Sequence, residues 1–84
     1  MKASRLLGDL INKYEAKSAK SGQITGFRSK GGGLFFRKEC NCVQVYGNDP
    51  SDEEFADVKD YLHNVVGGLK VLDDDSGFIE VWTE

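Results

Sequence analysis

Apolar positions along the 84-residue chain fall into two helical stripes and several strand-like runs. Leu6, Leu7, Leu10, Ile11 and Tyr14 recur at helical spacing, and with Ser4 as N-cap and Gly22 as a stop they predict a first helix over roughly 4–20. Strand-like segments follow at about 23–30 and 34–46, joined at Gly31-Gly32-Gly33. Leu34 and Phe36 share one parity, whereas Val43 and Val45 share the other. One strand register cannot bury both pairs, so a bulge or break is expected between Glu39 and Cys42.

A second helix is announced by "GNDPSDEEF". Ser51 stands as N-cap with Glu54 three positions on, the reciprocal pair of a capping box. Phe55, Val58, Leu62, Val65 and Val66 form its apolar stripe, and Gly67-Gly68 ends it. Two further strands, about 69–73 and 77–83, flank the turn Asp74-Asp75-Ser76-Gly77. The expectation is a single small α+β domain over residues 1–84, in helix-hairpin-helix-hairpin order (α-β-β-α-β-β). Its antiparallel sheet would carry two helices packed on one face.

Charge sharpens this picture. Residues 1–40 hold nine Lys or Arg against three acids, and residues 41–84 hold two against eleven, so halves of +6 and −9 lie behind a net charge of −3. Two surfaces are singled out. Glu53, Asp57 and Asp60 line the second helix opposite Phe55, Val58 and Leu62, a face suited to a basic protein partner. Arg28, Lys30, Arg37 and Lys38 flank the glycine turn, and parity sets Phe35 on the face opposite Phe36, beside Arg37. An exposed Phe35 there would stack on a base or enter a pocket on a protein.

Other chemistry finds less support. The glycines lack the Lys-Ser/Thr of a phosphate loop and open no helix, so they read as a turn needing positive φ. Asp73-Asp74-Asp75 has no EF-hand spacing, and Cys40, Cys42 and His63 fall short of four zinc ligands. The two cysteines read as packed thiols and His63 as solvent-facing. No metal, cofactor or catalytic constellation is expected, and hence no enzyme. The N-terminus does not read as a signal peptide and no run is long enough to span a membrane, which points to a cytoplasmic protein. The expected function is a non-enzymatic binding protein, of inhibitor or adaptor type, acting on a protein partner. The alternative is nucleic-acid binding through the basic hairpin 28–38, and the bipolar charge also admits a homodimer.

Overall fold

The computed structural model describes residues 2–49, 51–64 and 70–83. It is a small α+β domain of two helices and one six-stranded antiparallel sheet. Helix α1 spans Ala3–Lys13 and is followed by strands β1 (Lys17–Ser21), β2 (Ile24–Arg28), β3 (Leu34–Glu39) and β4 (Cys42–Gly47). Helix α2 spans Glu53–Asn64, and β5 (Lys70–Asp73) and β6 (Phe78–Trp82) complete the order α-β-β-β-β-α-β-β. The expected α-β-β-α-β-β order is thus short by two strands. Val65, Val66 and the Gly67-Gly68 stop lie outside the described residues.

The first correction concerns residues 15–21. Helix α1 ends at Lys13 because Tyr14 caps it, Glu15 turns to φ +49° and the Ala16 N–H donates to the Ile11 carbonyl at 2.9 Å. This is the Schellman reversal, formed with glutamate at the left-handed position that glycine usually takes. The chain beyond it, "KSAKS", pairs as β1 with β2 through Lys17↔Arg28, Ala19↔Gly26 and Ser21↔Ile24. Gly22, expected as a helix stop, instead supplies φ +64° in the hairpin turn Gly22-Gln23. Ser4 is not the N-cap either; Lys2 occupies that position and makes no side-chain cap bond.

The long strand is split at the break expected between Glu39 and Cys42. The parity conflict is resolved by a two-residue turn at Cys40-Asn41, with Cys40 at φ +53°, so that Glu39 pairs with Cys42 and Phe36 with Val45. Both apolar pairs then reach the same face. The sheet order is β1-β2-β3-β4-β6-β5, so the last strand inserts between β4 and the edge strand β5.

Both helices lie on one face of this sheet, as expected from the sequence. Leu34, Phe36, Val43, Val45, Ile79 and Val81 meet Ala3, Leu6 and Leu10 of α1 and Phe55, Val58 and Leu62 of α2 in a single buried cluster. Each fully buried aliphatic or aromatic side chain contributes about 1.5–3 kcal/mol relative to exposure. Gly47 is part of the fit, because a Cβ there would run into the Phe55 ring.

Candidate functional site

The glycine turn holds a carboxylate supplied by the chain itself. Glu54 reaches from the first turn of α2, where its Oε1 accepts from the Ser29 hydroxyl at 2.9 Å and from the Gly33 N–H at 3.0 Å. Ser29, 4 % exposed, in turn accepts from the Leu34 N–H at 3.1 Å. A Cβ on Gly31 would sit 2.6 Å from Glu54 Oε2 and one on Gly33 2.8 Å from Oε1, while Gly32 supplies φ +82°. Two glycines therefore make room for Glu54 and the third makes the turn. The expected Ser51–Glu54 capping box is not formed. Asp52 Oδ1 accepts from the Glu54 N–H at 3.0 Å as the true cap, and the Ser51 hydroxyl donates to Asp49.

Phe35 does occupy the face opposite Phe36, but it is only 3 % exposed. Its ring lies against Gly26, where an added Cβ would come within 2.7 Å of the ring tip, and the Arg28 guanidinium sits 5.4 Å from its centroid. Ser21 and Ile24, at the far end of the β1–β2 hairpin, line a small hollow with Phe35, Tyr46 and Asn48. Gly26, Ile24 and Arg28 of β2, with Ser21 at the end of β1 and Tyr46 on β4, surround the ring. Phe35 is thus a packing residue, which corrects its assignment to a recognition tip.

The cations around it are dispersed. Arg28 donates to the Gly32 carbonyl at 3.2 Å, Arg37 pairs with Glu39 at 2.9 Å, Lys30 approaches Glu15 at 3.8 Å, and the exposed Lys38 donates to the Cys40 carbonyl at 3.4 Å. Arg28 and Lys30 do share a hollow of about 510 Å³ with Lys17, a residue that the helical assignment of 15–20 had set elsewhere. Lys38 lies instead at the opposite end of β3, beside Lys2. The four cations of the hairpin do not form one patch.

The acidic helix face is more coherent. Glu53, Asp57 and Asp60 are exposed on the side of α2 away from Phe55, Val58 and Leu62, and Asp49 and Asp52 extend the charge to the helix N-terminus. Asp57 Oδ2 accepts from the Tyr14 hydroxyl at 2.6 Å and lies 3.9 Å from Lys13, yet its side chain stays 59 % exposed. Burial and that carboxylate both push the Tyr14 hydroxyl well above its ordinary range. The one cation of α2, Lys59, turns off the face and bridges Asp73 and Asp75 at 3.0 Å each.

Asp73, Asp74 and Asp75 serve the β5–β6 turn. Asp75 adopts φ +60°, its N–H donates to Asp73, and the Ser76 hydroxyl and N–H donate to Asp74. Burial works against the Asp73 carboxylate, but the Asp75 N–H, Lys59 and His63 hold it below the usual range. His63 is half-exposed, 3.5 Å from Asp73. Among the described residues, no group of three or more His, Cys, Asp or Glu could hold a metal ion. Cys40 is exposed and Cys42 buried. Burial and the neighbouring Glu80 carboxylate push the Cys42 thiol up to about 11.

One arrangement had no counterpart in the sequence reading. Glu80 stands on the face opposite the helices, paired across the ladder with Gln44 on one side and Leu72 on the other, with Phe78 and Trp82 before and after it on the strand. Its Oε1 accepts from the Trp82 indole N–H at 2.7 Å and its Oε2 from the Gln44 amide at 3.0 Å, while the Tyr46 hydroxyl donates to Gln44. The alternation of Phe78, Glu80 and Trp82 against Ile79 and Val81 was the available signal. No helix of the described residues is long and apolar enough to cross a membrane. No family model, curated protein or solved structure matches this chain.

Proposed function

We propose that the chain is a small non-enzymatic binding protein whose partner is a protein with a basic surface, engaged by the outward face of α2. The observation that carries this reading is the arrangement of Glu53, Asp57 and Asp60. All three are exposed on one helix face, Asp57 is fixed in place by Tyr14, and Lys59, which would have neutralised the face, is drawn away to Asp73 and Asp75. Such a predominantly acidic face, with Lys13 as its one neighbouring cation 3.9 Å from Asp57, steers a complementary partner and suppresses like-charged ones. The nucleic-acid alternative is weaker on physical grounds, since Phe35 is enclosed and the cations of the 28–38 hairpin are divided between two ends of β3.

The test is affinity capture from native lysate, with and without nuclease, using the unmodified chain and a Glu53→Lys, Asp60→Lys double variant. Asp57 is left in place because its replacement would also break the contact with Tyr14. The reading requires a protein that survives nuclease and is lost with the double variant. Capture that disappears on nuclease treatment, or that is indifferent to the charge reversal, refutes it.

A further inference from the structure

The helices cover one face of the sheet and the β1–β2 hairpin covers Phe35 on the other, which leaves the β4–β6–β5 part of that second face without a covering element among the described residues. There Trp82 is 43 % and Leu72 44 % exposed. Phe78 and Tyr46 are half-buried, with ring centroids 5.0 Å apart. Glu80 lies among these four side chains.

From this geometry we infer that the β4–β6–β5 face receives an arginine side chain of a protein partner, its guanidinium on the Glu80 carboxylate and its stem between Leu72 and Phe78. The inference rests on the protein-partner reading for the class of partner, but it uses a surface on the opposite side of the sheet from α2.

Three features select arginine. The first is the carboxylate, oriented by Trp82 and Gln44, which take one position on each oxygen and leave each oxygen further acceptor capacity. Those two hydrogen bonds, led by that from Gln44, also hold Glu80 below the usual carboxylate range, so the charge is present at neutral pH. The second feature is the adjoining groove of about 260 Å³, lined by Leu72, Phe78, Glu80 and the start of the β5–β6 turn at Asp73 and Asp74, with the Asp73 carboxylate itself turned to Lys59 on the helix side; its apolar walls and acidic rim suit an apolar stem carrying a cation. The third is the exposed indole. A planar guanidinium stacks on an aromatic face while it bonds a carboxylate, which the compact, strongly hydrated ammonium of lysine does less well. Of the cations on this face, Arg37 is paired with Glu39 at 2.9 Å and Lys70 stands across the ladder from Trp82, at the end away from the groove, while the β5–β6 turn adds aspartates at the groove end.

Trp82 is the only tryptophan of the chain, so its fluorescence reports on the site directly. The experiment titrates the full chain with a capped Val-Arg-Val peptide and with its glutamine analogue. A saturable change is expected with the arginine peptide alone, its midpoint weakened about tenfold by Glu80→Gln through loss of the charge-assisted bond. Leu72→Ser, at an exposed position that leaves the core untouched, should also weaken it, whereas the Glu53→Lys, Asp60→Lys variant should bind as the unmodified chain does. Equal binding of the glutamine peptide, or a midpoint unmoved by both Glu80→Gln and Leu72→Ser, overturns the inference. So does a dimer in sedimentation that Leu72→Ser dissociates, since a second copy would then occupy the face. Capture lost with the α2 variant alongside a negative titration removes this site and spares the α2 reading; the reverse pattern removes the α2 reading.

Discussion

Replacing Glu54 with alanine would detach the start of α2 from the glycine turn. Two hydrogen bonds to an ionised acceptor disappear, those from Ser29 at 2.9 Å and Gly33 at 3.0 Å. At roughly 1.5–3 kcal/mol each for charged acceptors, taken at the low end for a half-buried site, the loss is about 2–3 kcal/mol. Gly33→Ala perturbs the same contact from the other side. Gly33 does not use positive φ, but its new Cβ would lie 2.8 Å from Glu54 Oε1 and 3.1 Å from Asp52 Oδ2, so the carboxylate must swing out. The expected loss is about 1–2 kcal/mol, the two bonds less the ~0.4–1 kcal/mol that alanine gains by restricting the unfolded chain. In the Glu54→Ala background only the Asp52 contact remains to oppose the alanine, so Gly33→Ala should be neutral to stabilising, by up to about 0.4–1 kcal/mol. Urea denaturation of the four proteins provides the measurement, with midpoints shifting at constant slope. If the two single effects simply add in the double variant, Glu54 is not what the glycines accommodate.

Other expectations follow from the same geometry. Phe35→Ala should destabilise the domain by about 3–5 kcal/mol, as for a core phenylalanine; a loss below 1 kcal/mol in thermal unfolding would return Phe35 to the surface. The carboxyls of Asp49, Asp73, Asp74 and Glu80 are held below their ordinary values in the fold. Their contribution is therefore complete above the unfolded values near 4 and is lost as pH falls through the lower folded ones. Stability measured from neutral pH downward should decline there, less steeply in Ser76→Ala, which removes the hydroxyl bond to Asp74; an identical decline in that variant would discount the hydroxyl. Near pH ~8 a thiol reagent should modify Cys40 rapidly and Cys42 only on unfolding. Two fast equivalents would contradict the burial of Cys42.

Much of the architecture was legible because it is encoded locally. The stripe Phe55, Val58 and Leu62 located α2, and the parity clash between Leu34/Phe36 and Val43/Val45 demanded a break where the Cys40-Asn41 turn lies. Strand β1 was not legible. "KSAKS" has no apolar alternation and pairs through its backbone, and the helix before it, which ends at Lys13, is turned back by Glu15, a residue that does not advertise a left-handed conformation. For Phe35 parity gave the correct face and the wrong exposure, because its burial depends on neighbours on other strands, Gly26 and Arg28 of β2 and Tyr46 of β4, that parity along one strand does not disclose. Glu54 misled for a different reason: its capping-box spacing is genuine, but the glycine turn, 21 residues earlier at Gly33, competes for the carboxylate and wins. The Glu80 site needs the β4–β6–β5 order, which depends on long-range pairing that no local pattern discloses.

The insertion of β6 between β4 and β5 bears on how the protein is made. When translation has produced everything through α2, β4 still has an unpaired edge, and Val43 and Val45 lack Ile79 and Val81 beside them. The sheet closes only when the β5–β6 hairpin pairs, and those two strands come after all the others of this sheet in chain order. A nascent chain stalled before residue 78 would expose a strand edge able to recruit other chains, so ribosomal pausing in that stretch should make this small domain dependent on chaperones.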